Sequence, residues 1–296
     1  MILAVIGPTA SGKSALALAL ASRQPTEIVT CDSMQIYRGL DIGTAKPTAA
    51  ERAEVPHHLI DLVDPPEVFS AQRWADAADA VLADVAGRGR MAIVVGGTGL
   101  YLRALRWGLV ETTERDNALR ESLLAAESAD PGVLHRRLAE VDPVAAARLH
   151  RNDLQRVTRA LEVFQLTGRT LSSFHAAHQP TERHPMTVLH LDPPATVLDA
   201  RLADRAAAMV QAGLVEETGE ARARWGQVTP LSSVGYHEAG LVLDGKLPLA
   251  DLPAAVTQAH HQFARRQRTW FKKEPTALTA PSAEAGLQLL VDRGLV

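Results

Sequence analysis

Near its start the chain reads Gly7-Pro8-Thr9-Ala10-Ser11-Gly12-Lys13-Ser14, which fits the pattern G-x4-G-K-S at every fixed position. The apolar residues 2–6 before it have the character of a buried strand. The alanine- and leucine-rich residues 13–21 after it have the character of a helix. A glycine-rich loop between a strand and a helix is the context in which such a motif binds phosphate. The sequence therefore predicts a P-loop over residues 7–14.

Each part of this loop has a physical reason to bind phosphate. Glycines let the backbone curl so that successive N–H groups point at phosphate oxygens, and the positive end of the following helix adds to the attraction. Lys13 supplies a positive charge, and the hydroxyl of Ser14 is a candidate ligand of Mg²⁺. A glycine turn without a ligand is the alternative. The loop does not reveal which phosphate compound is bound, and a nucleotide such as ATP is the usual expectation.

Short apolar strands and helices alternate over the first part of the chain. Residues 27–30 and 91–95 are predicted strands, and residues 71–86 are a predicted helix. This alternation predicts an α/β fold whose core is a P-loop NTPase-like parallel sheet. Ligands of such sheets bind at the carboxyl ends of the strands. The loops after Ile6, Thr30 and Val95 should therefore lie at the site.

An all-helical subdomain is predicted as an insertion over residues 113–185. Its apolar residues recur at three- and four-residue spacing over 119–126, 133–139, 143–149 and 153–166. Asp142 before Pro143 is typical of a helix start, and Gly168 is typical of a helix stop. The predicted core comprises residues 1–112 and, from 186, a return to the sheet followed by helices up to residue 296.

Composition and charge narrow the class of protein. The chain has 296 residues, of which 46% are hydrophobic and 22% charged, so it can bury a large core. It has no apolar run of the ~18 residues that a membrane helix needs, and its start does not resemble a signal peptide. Cys31, the single cysteine, fits a reducing compartment and is expected to be packed rather than nucleophilic. We therefore expect a cytoplasmic protein without membrane contact. A monomer is the oligomeric state that we expect.

The distribution of charge bears on nucleic acid as a partner. The net charge of −3 argues weakly against such a partner. Residues 265–273 are nevertheless locally basic, and residues 148–159 carry several arginines. For either segment alone, a solvated helix face is the favoured interpretation.

Two further loops at the predicted sheet edge carry candidate functional residues. Asp32 follows the second strand, where its carboxylate could act as a general base or help to hold a metal. A helix N-cap or an Asx turn is an equally good interpretation of this position. Thr98 lies in Gly96-Gly97-Thr98-Gly99, whose glycines would let the backbone approach a ligand; a plain strand-to-helix turn is the alternative. His57-His58 and His260-His261 match no zinc pattern, which favours structural roles.

Further motifs are spread over most of the chain. They are DSMQIYRGLDIGTAKP from Asp32, HHLID from His57, GGTGLY from Gly96, DPVAAARLHRNDLQRVTRALEV from Asp142, SVGYHE from Ser233 and ARRQRTWF from Ala264. Together with the P-loop they resemble the tRNA dimethylallyltransferases, also called tRNA isopentenyltransferases. The runs from DSMQ to GTAKP and around NDLQR are the most specific parts of this resemblance.

The resemblance implies a reaction and roles for particular residues. A dimethylallyl group would pass from dimethylallyl diphosphate to N6 of adenosine 37 in tRNA, and diphosphate would be released. The P-loop with Lys13 would bind the diphosphate, and Ser14 would ligate Mg²⁺. Asp32 would be the general base and Thr98 would position the reacting groups. Arg205, together with Arg201, would neutralise the diphosphate from the other side.

The resemblance also implies a tRNA-binding path, to which the helical insertion would contribute. Its residues would be Asp32, Ser33, Met34, Gln35, Thr98, Arg120, Gln155, Arg156, Val157, Thr158, Arg159, Ser232, Ser233, Val234, Gly235, Tyr236 and His237. Trp270 and Phe271 suit stacking or core packing, and core packing is favoured.

Two other functions are compatible with parts of the sequence. The first is a P-loop transferase or kinase acting on a small molecule, such as an adenylate isopentenyltransferase. It would have little use for the insertion or the basic C-terminal segment. The second is a non-catalytic RNA-binding protein, which would have no need for intact Lys13, Ser14, Asp32 and Thr98.

Overall fold

The computed structural model describes residues 1–274 and 277–296. Within these residues the strands are β1 (Ile2–Ile6), β2 (Thr26–Cys31), β3 (His57–His58), β4 (Met91–Gly96), β5 (Thr187–Leu191) and β6 (Leu278–Ala280). They form one sheet in the order β3-β2-β4-β1-β5-β6, and all neighbours in it are parallel. The predicted α/β class with a parallel sheet core is confirmed.

Helices make up most of the remaining structure. In the described residues they are α1 (Lys13–Ala21), α2 (Ala49–Glu54), α3 (Ala71–Gly87), α4 (Gly99–Trp107), α5 (Asn117–Ala129), α6 (Val133–Val141), α7 (Pro143–Arg148), α8 (Leu154–Thr167), α9 (Leu171–Ala177), α10 (Ala195–Gln211), α11 (Leu214–Trp225), α12 (Tyr236–Leu243), α13 (Leu252–Phe271) and α14 (Ala283–Asp292). Two 3-10 helices, Thr229–Ser232 and Leu249–Asp251, lie between them. None of the described helices is long and apolar enough to cross a membrane.

The chain divides into two compact units. Residues 1–107 and 182–296 form the core unit, which contains the sheet, and residues 108–181 form the helical unit, which contains α5 to α9. The helical unit therefore ends four residues before the predicted limit at residue 185. The reason is that Glu182 pairs with buried Arg106 at 2.8 Å, while Arg183 and His184 both pair with Asp79 of α3.

Both faces of the sheet are buried, and side chains along each strand point to the two faces in turn. Leu3 and Val5 of β1 belong to one apolar cluster with Leu16 of α1 and Leu290 of α14. Ala4, whose side chain points to the other face of the sheet, is fully buried as well. On α3, the indole N–H of Trp74 donates to the carbonyl of Thr30 at 3.1 Å. A sheet covered by helices on both faces leaves the strand ends and their loops as the accessible part, which is where ligands bind.

Two strands are not predicted by the sequence. β3 has two residues and pairs with β2, and β6 has three residues and pairs with β5. β6 interrupts the helices that were expected to run to the C-terminus. Segments this short carry no periodic signal of their own, and the neighbouring strand determines their conformation.

Local signals in the helical unit act as predicted. The side chain of Asp142 accepts the N–H of Ala145 at 3.0 Å and so caps the start of α7. Asp153 caps α8, which ends at Gly168 with a φ of 69°. The apolar residues at helical spacing pack together in a cluster that includes Leu123, Leu134 and Leu161.

A buried carboxylate, that of Glu162 on α8, organises the arginines of the helical unit. Its side chain is fully buried and accepts the N–H of Asp116 at 2.8 Å. It also pairs with Arg120 at 3.2 Å and with Arg159 at 2.6 Å. Both arginines were expected to contact tRNA, and the structure shows that each has a partner within its own unit.

We predict that Glu162→Gln lowers the free energy of unfolding by about 3 kcal/mol, because two guanidinium groups lose a buried counter-charge. Chemical denaturation measures the loss, and hydrogen exchange should localise it to residues 108–181. Glu140→Gln, which changes an exposed carboxylate on α6, is the matched control. Equal stabilities of the two variants would contradict the structural role of Glu162.

Candidate active site

A cleft of about 830 Å³ opens in the core unit where β1, β2 and β4 end. The loops that follow these strands form its walls together with α10 and α13. Many residues singled out from the sequence line it: Thr9, Ala10, Ser11, Gly12, Lys13, Ser14, Asp32, Ser33, Met34, Gln35, Thr98, Arg201, Arg205, Ser232, Ser233 and Val234. The structure thus brings the P-loop, Asp32, Thr98 and Arg205 to one site, as the strand-end argument predicts.

The backbone of the P-loop is shaped for an anion. Gly12 precedes α1 with a φ of 94°, and α1 starts without a side-chain cap. The first N–H groups of a helix have no partner inside the helix, so those of α1 are available to a ligand. Gly7 is required for packing, since a Cβ there would lie 2.4 Å from the carbonyl oxygen of Leu191.

Two cations approach each other in the cleft. The Nζ of Lys13 donates to the carbonyl of Pro8 at 2.6 Å. Burial, and then the charge of Arg205, lower the pKa of Lys13 to about 7, although Asp32 acts in the opposite direction. Burial also lowers the pKa of Arg205, against the effect of Asp32. In the described residues the buried Nε of Arg205 has no hydrogen-bond partner. An unsatisfied cationic donor beside a second cation is costly, so this arrangement favours an anionic ligand.

Asp32 and Thr98 occupy neighbouring loops that are bonded to each other. One carboxylate oxygen of Asp32 accepts the N–H of Met34 at 2.8 Å, which is an Asx turn. The hydroxyl oxygen of Thr98 accepts the N–H of Ser33 at 3.0 Å. Asp32 also lines the cleft. Its part in the Asx turn is therefore compatible with a role as general base. Next to it, burial raises the pKa of the Cys31 thiol, so Cys31 is a packed residue.

Comparison with known proteins adds to this geometry. The family model described as IPP transferase matches residues 35–274, and the one described as isopentenyl transferase matches residues 1–62. The tRNA dimethylallyltransferase of Anaeromyxobacter dehalogenans (strain 2CP-C) is 53% identical over 274 residues, which cover 91% of this chain and 91% of that protein. The chain belongs to the IPP transferase family. The resemblance seen in the motifs is confirmed.

Other members of the IPP transferase family agree along nearly the whole chain. The tRNA dimethylallyltransferase of Myxococcus xanthus is 47% identical, over 98% of this chain and 95% of that protein. A crystal structure described as a eukaryotic dimethylallyltransferase acting on tRNA matches with a TM-score of 0.82 and 30% identity, over 99% of this chain and 77% of that chain. The tRNA isopentenylpyrophosphate transferase of Bacillus halodurans matches with a TM-score of 0.68 and 35% identity, over 94% of this chain and 89% of that chain.

The glycines around Thr98 are required by the packing of the protein itself. A Cβ at Gly96 would lie 1.9 Å from the carbonyl oxygen of Cys31. At Gly97 it would lie 2.1 Å from Nε2 of Gln267, and at Gly99 it would lie 2.1 Å from Nε1 of Trp270. Gly96 and Gly97 also line the cleft, so the expectation that these glycines let the backbone approach a ligand stays a prediction. They make room for the backbone of β2 and for two side chains of α13.

Several residues predicted to contact tRNA are part of the protein interior. Tyr236 is fully buried, and its hydroxyl donates to Glu217 at 2.6 Å. Gly235 is buried at a φ of 91°, and Val157 and Thr158 lie within the helical unit. Successive residues of a helix point in different directions, so a contiguous run of a motif has both buried and exposed residues. Gln155, Arg156, Ser232 and His237 are exposed.

A half-buried acceptor that the sequence does not reveal holds the loop after Asp32. The carboxylate of Glu217 on α11 accepts the backbone N–H groups of Asp41 and Ile42 at 2.9 Å and of Gly43 at 3.1 Å. Gly43 is a glycine because the ring of Tyr236 would lie 2.5 Å from a Cβ there. Nothing in the sequence of α11 marks Glu217, since the backbone N–H groups that it accepts are more than 170 residues away.

The two histidine pairs have the structural contacts that the sequence favours. His58 pairs with the buried carboxylate of Glu27 at 2.6 Å. His260 lines the cleft, and its Nδ1 lies 3.0 Å from the carbonyl of Val256. Burial, and then the charge of Arg205, lower the pKa of His260 to about 4, so its imidazole is neutral near pH 7.

We predict that binding of inorganic diphosphate at pH 8 is accompanied by proton uptake on Lys13. With its pKa lowered to about 7, Lys13 is mostly neutral in the free protein at pH 8, and a bound anion favours the charged form. Affinity should therefore fall as the pH rises above 7, by up to about tenfold per pH unit.

Titration calorimetry in buffers of different ionisation enthalpy measures this uptake. Lys13→Met is the control, because it keeps any protonation of the diphosphate itself. Identical proton uptake by the variant and the wild type would rule out Lys13 as the group that titrates.

Proposed function

We propose that this chain transfers the dimethylallyl group of dimethylallyl diphosphate to N6 of adenosine 37 in tRNA and releases diphosphate. The observation that carries the proposal is the convergence of the P-loop, Asp32, Thr98 and Arg205 on one cleft. Family membership and relatives named tRNA dimethylallyltransferase support it. tRNA is also what the eukaryotic structural neighbour is described as acting on.

The cleft suits departure of a diphosphate. In the proposed reaction the bond between the allylic carbon and the diphosphate oxygen breaks, and that oxygen takes the electron pair. Lys13, Arg205 and the N–H groups at the start of α1 supply positive charge where the negative charge develops. Such preorganised electrostatic stabilisation is a large part of catalysis in general. The unsatisfied Nε of Arg205 gives the leaving group a donor that no described residue occupies.

The residues of the cleft fit Mg²⁺ as a cofactor. No group of three or more His, Cys, Asp or Glu that could hold a metal occurs in residues 1–274 and 277–296. Mg²⁺ is commonly held by one or two protein oxygens together with substrate phosphates. Ser14, an exposed hydroxyl in the first turn of α1, would be the protein ligand. Bound there, Mg²⁺ would neutralise charge on the departing diphosphate.

In the proposed reaction, Asp32 would accept the proton of the nucleophile. The exocyclic amine of adenine is weakly nucleophilic, so a carboxylate that accepts its proton assists formation of the bond from N6 to the allylic carbon. The Asx turn engages one carboxylate oxygen of Asp32 and so fixes the group at the cleft. The hydrogen bond that the N–H of Ser33 donates to the Thr98 hydroxyl holds Ser33, the neighbour of Asp32, in place.

A tRNA acceptor accounts for the features that a small-molecule enzyme would not need. An adenine in a stacked loop must be extruded to reach a pocket, and exposed basic side chains suit the phosphate backbone. Arg156 is exposed on the helical unit, and Arg265 and Arg266 are exposed on the core unit. The proposal places the enzyme in the cytoplasm as a monomer.

An adenylate isopentenyltransferase is the principal alternative, because the family model described as isopentenyl transferase matches residues 1–62. Incubation with labelled dimethylallyl diphosphate and equimolar tRNA and AMP separates the two. Nucleoside analysis should place the label on adenosine 37 of tRNA. Label in AMP alone would overturn the proposed acceptor, and label in neither would favour a non-catalytic RNA-binding protein.

We predict that Asp32→Asn lowers kcat by roughly 10²–10⁴-fold while tRNA affinity changes little. Asparagine keeps the side-chain oxygen that accepts the N–H of Met34, so the Asx turn survives and the proton acceptor is lost. Single-turnover transfer and tRNA filter binding measure the two quantities. Glu220→Gln, an exposed carboxylate change on α11, should leave both unchanged. An active Asp32→Asn enzyme would restrict Asp32 to its structural role.

A further inference from the structure

Gln267 of α13 lies between two of the loops that form the cleft. It is buried, with 6% of its surface exposed. Its Oε1 accepts the N–H of Thr9 in the P-loop at 2.8 Å, and its Nε2 donates to the carbonyl of Gly97 at 3.0 Å. These partners are 258 and 170 residues away along the chain. One carboxamide thus joins the loop after β1 to the loop after β4.

We propose that Gln267 is a positioning residue for the transfer reaction, a role that rests on the proposed function. By bonding both loops, it sets the distance between the diphosphate-binding P-loop and the loop that carries Thr98. Thr98 in turn bonds the N–H of Ser33, the neighbour of Asp32. These hydrogen bonds, together with the peptide bond between Gly97 and Thr98, therefore connect the P-loop to the residue beside the proposed base.

The contact requires a side chain that both accepts and donates a hydrogen bond. The N–H of Thr9 needs an acceptor, and the carbonyl of Gly97 needs a donor. Among neutral side chains, those of Asn and Gln offer both on one planar group. A carboxylate at position 267 would still accept from Thr9, but its second oxygen would face the carbonyl oxygen of Gly97. A thioether of similar length would make neither bond.

The surrounding packing is built to admit this side chain. A Cβ at Gly97 would lie 2.1 Å from Nε2 of Gln267, so the contact depends on glycine at this position. Three residues further along α13, the indole of Trp270 packs against Gly99 in the same way. Residues three apart lie on the same face of a helix. One face of α13 therefore holds the loop on both sides of Thr98.

The bond to Thr9 has a consequence for the P-loop itself. The N–H of Thr9 donates to Gln267 and does not point to a ligand, so this part of the loop is held by the protein before substrate binds. The donors at the start of α1 remain available to phosphate. A loop that is ordered in advance loses less conformational freedom on binding. Misplacement by about 1 Å of groups that must face each other can cost about 10²-fold in rate.

Two substitutions test the role of Gln267. Gln267→Glu at pH 8 and Gln267→Met at any pH should each lower kcat by about 10²-fold, with a smaller change in KM for tRNA. When protonated, the glutamate can accept from Thr9 and donate to Gly97. Burial raises the pKa of such a carboxyl. The kcat of Gln267→Glu relative to the wild type should therefore recover at least about tenfold as the pH falls from 8 to 6. The recovery stops once the pH is below the pKa of the introduced carboxyl, because the side chain is then fully protonated.

The controls separate positioning from stability and from the proposed reaction. Gln262→Glu, an exposed change on α13, should follow the wild type at every pH. Gln267→Met should show no recovery at pH 6. A wild-type kcat in Gln267→Met, or a pH-independent loss in Gln267→Glu, would overturn the proposal.

If the wild type itself transfers nothing to tRNA, the proposed function fails, and the same pH comparison is made on the binding of inorganic diphosphate. There, recovery for Gln267→Glu supports positioning and its absence overturns it.

Discussion

The parallel pairing of β4 with β1 on one side and β2 on the other places the ends of three strands at one level. Gly96 is opposite both Ile6 and Cys31 in this register. The P-loop, the Asp32 loop and the Thr98 loop therefore start side by side, although they are widely separated in sequence. Gly96 permits this because any side chain there would meet the carbonyl of Cys31. The candidate site depends on this register, since a shift of β2 by one residue would move Asp32 out of the cleft.

The electrostatics of the cleft oppose folding and favour a ligand. Burial depresses the pKa of both Lys13 and Arg205, and each cation lies near the other. Such an arrangement destabilises the free protein and is relieved by an anion that bonds both groups. The apolar clusters around the sheet supply the compensating stability. Local conflicts of this kind are expected at functional sites, and they are the clearest sign that the cleft is built for a charged substrate.

Features with local signals could be predicted from the sequence, and features set by distant partners could not. The residues of α1 and β1, the cap at Asp142 and the stop at Gly168 follow from nearby side chains. The short strand β6 has no such signal, because its place is set by β5. The same distinction applies to the site. The sequence marks Lys13 and Asp32 as candidates, whereas it does not reveal that Gln267 and Glu217 accept backbone N–H groups far away in the chain.

The glycines give the motifs of this chain a physical connection. Gly97 and Gly99 of GGTGLY admit Gln267 and Trp270 of ARRQRTWF, and Gly43 of DIGTAKP admits Tyr236 of SVGYHE. Each of these motifs is thus the steric complement of another, and a change in one would require a change in its partner. The motifs act as one packed network that holds three loops around a cleft. For this reason a motif residue can be essential to the site without touching substrate, and adjacent residues of one motif can face the core and the solvent in turn.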